Sequence, residues 1–134
     1  MFVTNKLIPL PVLAQLRLTT TPFYLTGSRR FGGGDDTSDW DFFTPESPQI
    51  RFSLSTWGFK RLCPDFGYPS DVEVWRHAAE HIDVQIRKNA DEFEEACQLI
   101  EITGTVPPKN PDARRAFWLN IVSAIRRAHR QSVA

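Results

Sequence analysis

The stretch "DVEVWRHAAEHIDVQIRK", Asp71 to Lys88, constrains the fold of this chain more than any other. Val72, Val74 and Arg76 alternate with Glu73, Trp75 and His77, and after "AAE" the residues Ile82, Val84 and Ile86 alternate with Asp83, Gln85 and Arg87. A period of two marks strands whose two sides meet different surroundings, and two such runs around a short polar turn predict a β-hairpin. A lone hairpin is marginal in water and needs further strands or a helix to cover it. "PFYLTG", Pro22 to Gly27, is an aromatic and aliphatic run stopped by glycine, and "DWDFF" alternates before turning fully apolar; each predicts a further strand.

Helices are expected around these strands. Pro9 to Leu18 suits a short helix with proline in its first turn. "TPESPQIRFSLSTWGF" offers Thr44 or Ser47 as N-cap, Pro45 or Pro48 at the first helical position, and Gly58 as the stop. "NADEFEEACQLIEITG" reads as a helix capped by Asn89 and ended by Gly104, with Phe93, Cys97 and Ile100 on one side. Asn110 and Pro111 open a last helix running to about residue 131. The order of elements predicts an α+β fold, a mixed β-sheet with helices packed on one face, in a single domain over residues 1–134.

Charge is balanced, 16 basic against 16 acidic residues, so the total names no partner. Its distribution is uneven. Asp91, Glu92, Glu94, Glu95 and Glu101 carry no base between them, whereas Lys109, Arg114, Arg115, Arg126, Arg127 and Arg130 face Asp112 alone. An acidic helix followed by a basic one is expected. The basic one has two readings: a surface for nucleic acid or a phosphorylated acceptor, or a solvated face opposite Phe117, Ile121, Val122 and Ile125, which is simpler. His77 and His81 flank the hairpin turn without third and fourth ligands at zinc spacing and read as surface residues; Trp57, Trp75 and Trp118 read as packing. Cys63 and Cys97 lie in no CxxC motif and read as reduced thiols. The first residues are interrupted by Pro9 and Pro11 and make no signal peptide, and no window suits a bilayer. A cytoplasmic protein without a membrane partner is expected.

Chemistry concentrates in "GSRRFGGGDDTSDWDFF", Gly27 to Phe43. A Walker A loop would need Gly-Lys-Ser/Thr after the glycines. A dinucleotide fingerprint would open a helix directly, whereas these glycines lead to a strand-like run. An EF-hand would place Asp35, Thr37, Asp39, Asp41 and Glu46 at ligand positions, but Trp40 stands where the loop needs glycine. A solvated acidic turn accounts for Asp35 and Asp36. It does not account for Asp39 and Asp41, which share one side of a strand while Trp40 points to the other. Two like charges at the edge of a core repel unless a cation lies between them, and a divalent metal is the economical candidate.

Gly27-Ser28, Gly32, Ser38-Asp39, Asp41 and Phe42-Phe43 follow one another in an order and spacing that resembles the signature of the nucleotidyltransferase superfamily that includes DNA polymerase β. The run is also similar to small nucleotidyltransferase-like proteins of phages and bacteria. The resemblance covers roughly Phe23 to Ile86. It implies a third carboxylate on a later strand, for which Asp83 in "HIDVQI" is the candidate; Asp65 and Asp71 are poorer because they lie in a loop. It further implies that Asp39, Asp41 and Asp83 hold Mg2+ or Mn2+, and that Gly27 and Ser28 cradle the phosphates of a nucleoside triphosphate, ATP among them, with Arg29 or Arg30 either adding positive charge there or standing as a solvated surface arginine. The implied reaction moves a nucleoside monophosphate to a hydroxyl of an unspecified acceptor: nucleic acid, protein or a small molecule. Three successive glycines and the lack of a large acceptor-gripping domain depart from many members and suggest a minimal catalytic domain. The alternative is a catalytically silent, antitoxin-like member that binds nucleotide or a protein partner. The three carboxylates favour the active form. A sugar-nucleotide glycosyltransferase built on DxD is weakened by the upstream Gly-Ser and the short length.

Overall fold

A computed structural model describes residues 22–32, 37–62 and 72–132. The helix expected over Pro9–Leu18, and Cys63, Asp65, Asp71, Gly33, Gly34, Asp35 and Asp36, lie outside those residues.

The predicted hairpin is the frame of the sheet. β4 (Glu73–His77) and β5 (Ile82–Arg87) pair antiparallel, with Trp75 opposite Val84 and Arg76 opposite Asp83. The chain reverses at residues 78–81, where His81 takes a left-handed φ of 55°. Histidine occupies that region more readily than branched residues do. The two other expected strands are β1 (Tyr24–Thr26) and β2 (Trp40–Pro45), which pair antiparallel. β2 then runs parallel to β5, and a two-residue edge strand, β3 (Lys60–Arg61), adds to β4. The sheet is therefore mixed, in the order β1-β2-β5-β4-β3. Its centre, β2 against β5, is the apolar pair, which suits strands covered on both faces.

Phe42 and Phe43 are adjacent in β2 and both fully buried, so each side of the sheet is covered. On one side Phe42, Trp40, Ile82, Val84 and Ile86 pack with Phe23, Phe59 and the inner residues Ile50 and Leu54 of α2 (Ile50–Thr56). On the other, Phe43 meets Ala90, Phe93 and Cys97 of α3 (Ala90–Thr103), with Trp118 of α4 (Pro111–Ser132) and Phe31 of α1 (Ser28–Phe31) beside them. The α+β class and mixed sheet are as expected. The larger helices share one face, and the seven-residue α2 covers the other.

Local signals place the helix ends unevenly. Asn110 Oδ1 accepts the N–H of Ala113 at 3.0 Å, a regular N-cap, and Gly104 closes α3 in the left-handed conformation at φ 70°. Asn89 precedes α3 but makes no side-chain cap. α2 starts later than its prolines suggest, because β2 runs on through Pro45, which lies opposite Arg87. The acidic and basic helices lie side by side and pair with each other. Arg126 donates to both carboxylate oxygens of Glu92 at 2.7 and 2.8 Å, and His129 Nε2 lies 2.8 Å from Glu95. Among the described residues no helix is long and apolar enough to cross a membrane.

Candidate functional site

The register of the sheet aligns one row of side chains across all five strands. Thr26 lies opposite Asp41, Asp41 opposite Asp83, Asp83 opposite Arg76, and Arg76 opposite Lys60. Directly opposed residues point to the same side, so these five share the face that carries α3 and α4. Asp83 thus stands beside Asp41 although over forty residues separate them in sequence. Asp39 joins them from just before β2.

Arg76 holds two of the three carboxylates. Its Nη1 donates to Asp83 Oδ1 at 2.9 Å and to Asp39 Oδ2 at 3.1 Å, and its Nη2 reaches Asp39 Oδ1 at 3.3 Å. His81 Nδ1 lies 3.7 Å from the same Asp39 oxygen. The sequence asks for a cation between Asp39 and Asp41; the guanidinium from the neighbouring strand bridges Asp39 and Asp83 instead. Asp41 is the carboxylate that Arg76 does not bond. Burial pushes its pKa up to about 7, with Asp83 and Asp39 adding to the rise and Arg76 and Arg114 opposing it.

Gly27 ends β1 behind Asp41. Its φ is 73°, and a Cβ built there would fall on the Asp41 carboxylate. Only glycine tolerates both the left-handed backbone and that approach. The next residues open α1. Arg29, expected at a phosphate, donates to the Ser38 carbonyl from Nε at 3.0 Å and from Nη2 at 2.8 Å, and lies 4.0 Å over the Trp40 ring. It clasps the two ends of the glycine loop together. Arg30 turns the other way, donating to the Leu25 carbonyl at 2.9 Å, to both oxygens of Glu94 at 2.6 and 3.0 Å, and to Glu101. Thus neither arginine is the solvated residue that its position beside the loop suggests.

An open cavity of about 230 Å³ begins at this turn. Gly27, Ser28 and Asp41 form one end, Phe31, Phe93 and Trp118 supply aromatic wall, and Arg87, Lys109 and Arg114 supply positive charge. Asp39, Asp83 and Arg76 lie outside the lining, so Asp41 is the carboxylate the cavity shares with the row. Beneath it, Thr26 Oγ1 lies 3.8 Å from Cys97 Sγ; burial pushes that thiol up to about 12, which makes it inert packing.

The donor set suits a hard divalent cation: three carboxylates and no soft ligand, with an excess of buried negative charge expressed at Asp41. Yet among the described residues no three acidic, histidine or cysteine side chains stand arranged around a metal-sized space. Asp39 and Asp83 are turned onto Arg76. The residues fit the ion by the chemistry of their donors, and Arg76 holds two of the three.

Of the residues singled out from sequence, Asp39, Asp41, Asp83, Gly27 and Ser28 come together at one end of the sheet, and Arg29 is held beneath them against Ser38 and Trp40. Arg76 was missed as part of the site. The signal existed, since the alternation puts Arg76 with Val72 and Val74 on the inward side of the hairpin, where a lone cation needs an anion. Arg87, Lys109 and Arg114 reach the cavity from separate elements and had no local signature. No family model matches this sequence, and no curated protein or solved structure matches it.

Proposed function

We propose that this chain transfers a nucleoside monophosphate from a nucleoside triphosphate to a hydroxyl acceptor in a metal-dependent reaction. The observation that carries the reading is the row Thr26–Asp41–Asp83–Arg76 with Asp39 at its edge, set against the glycine turn at Gly27–Ser28. Asp39, Asp41 and Asp83 would hold Mg2+ or Mn2+. When bound, such ions supply Lewis-acid stabilisation of charge on the phosphoryl oxygens.

The chain's own residues divide the remaining work. The backbone at Gly27 and the Ser28 hydroxyl offer hydrogen-bond partners for phosphate oxygens, and Arg87, Lys109 and Arg114 offset their charge along the cavity. Phe31, Phe93 and Trp118 give a ring-bearing substrate an apolar wall and exclude water. The cavity reaches Asp41, while Asp39, Asp83 and Arg76 lie outside its lining. That separation suits a triphosphate in the cavity and an acceptor, of nucleic acid, protein or small molecule, approaching over Asp83. A cytoplasmic location suits such substrates.

One observation favours the second reading, a catalytically silent member that binds nucleotide or a protein partner: Arg76 already neutralises two of the carboxylates. Incubation with each α-labelled triphosphate, Mg2+ or Mn2+, and fractions of RNA, protein and metabolites separates the two. Active transfer leaves label on an acceptor and loses it in Asp41→Asn and Asp83→Asn. Nucleotide binding by calorimetry without any label transfer supports the silent form.

A further inference from the structure

We propose that Arg76 is a resident counter-ion that a divalent cation must displace, so that the carboxylate site has a closed state held by the guanidinium and an open state that takes metal. The inference rests on the reading of Asp39, Asp41 and Asp83 as metal ligands.

The geometry assigns Arg76 this role through three contacts. Both Asp39 oxygens and one Asp83 oxygen are accepting from a single guanidinium, at 2.9 to 3.3 Å. A metal ion takes the same lone pairs at about 2.0–2.1 Å, so one oxygen cannot serve both cations in the same direction. Two cations within a few ångströms of each other also repel, and the repulsion is large where water is partly excluded. Metal and Arg76 therefore compete for Asp39 and Asp83. Asp41 is held by neither hydrogen bond nor ion pair to Arg76, and it lies at the junction with the cavity, where an arriving ion meets a carboxylate before the latch must open.

Arg76 is able to leave. Its side chain keeps 27% of its surface exposed, and it stands on the second strand from the sheet edge, opposite exposed Lys60. Swung toward that edge it would lie beside Lys60, and the pair would welcome an anion. A metal ion arriving with a triphosphate or a phosphorylated acceptor thus gives the displaced guanidinium a new partner, whereas a metal ion alone does not. Binding of bare cation is weakened by the cost of releasing Arg76, and anion and cation bind cooperatively.

Titration of the full chain with Mn2+ alone, read by electron paramagnetic resonance of the unbound ion, tests this. Arg76→Ala should bind Mn2+ roughly tenfold tighter than wild type or better, and Asp83→Asn in either background should remove that binding. Arg76→Lys keeps a charge but loses the bidentate bridge, and should fall between the two. If wild type binds Mn2+ through Asp83 and Arg76→Ala binds it no tighter, the latch is overturned while the metal site stands. If neither protein binds Mn2+ in an Asp83-dependent way, both the latch and the metal reading are overturned. Should Arg76→Ala fail to fold, the Nε–H resonance of Arg76 in wild type serves instead: saturation with Mg2+ should shift it, and an unmoved resonance overturns the latch.

Discussion

The carboxylate of Asp41 occupies the space that a side chain at Gly27 would fill. The glycine that ends β1 therefore serves the acid on the neighbouring strand before it serves any phosphate. Gly27→Ala is expected to cost about 1–3 kcal/mol, from a left-handed φ imposed on alanine and from the displacement of Asp41. Thermal melts of Gly27→Ala, Asp41→Ala and the double variant check the source. The double variant should recover part of the loss, because removing the carboxylate removes the collision; strictly additive costs would assign the whole effect to backbone strain.

Asp41 also makes the metal-free protein pH-sensitive. Its folded pKa, about 7, lies above the usual carboxylate value, so the fold favours the protonated acid. The stabilising contribution is complete below pH of about 4, fades as pH rises through 7, and leaves a constant penalty above that. In chelator, Asp41→Asn should accordingly gain on wild type between those limits, by roughly 2–4 kcal/mol at the plateau. Urea unfolding at several pH values measures the gap, and a gap that does not grow with pH would show that Asp41 is not strained by its neighbours.

Arg30 ties the turn after Gly27 to α3. Its side chain is 10% exposed and Glu94 17%, and the same guanidinium caps the Leu25 carbonyl of β1. Arg30→Met should cost about 3 kcal/mol, since it leaves a half-buried carboxylate unpaired. Adding Glu94→Gln should return a large part of it. Denaturant midpoints for the three proteins give the comparison.

The basic helix α4 packs beside acidic α3 and pairs with it through Arg126–Glu92 and His129–Glu95. Replacing Arg126, Arg127 and Arg130 together by Gln should therefore leave affinity for a single-stranded oligonucleotide, and its salt dependence, unchanged. Fluorescence anisotropy across a salt series reads both. A slope reduced by about two units would instead place phosphates on this helix.

How far these features can be read from sequence differs by element. The hairpin, Trp40 turned into the core and the Asn110 cap are local patterns with periods or fixed offsets, and they are found where the residues place them. Asp83 beside Asp41 is not local. It follows from the parallel register of β2 and β5, which alternation narrows to a choice of face but does not set. Arg29 and Arg30 look alike in sequence and diverge because consecutive helical residues point about 100° apart, one toward Ser38 and one toward α3. α1 escapes notice because four residues carry no helical period.

The parallel pairing of β2 with β5 has a consequence for how the protein comes to exist. A nascent chain that has released Asp39 and Asp41 but not yet Arg76 and Asp83 has two acids with neither the third carboxylate nor the guanidinium that faces it. Arg76 emerges first and Asp83 seven residues later, so the hairpin can form its own ion pair before it docks. What remains is a long loop closure across residues 46–81, the slow kind of event in folding. Until it occurs, Asp41 stays in water with an ordinary acidity. The unusual proton affinity of this residue is therefore a marker of completed folding, detectable as proton uptake near neutral pH when the metal-free chain refolds.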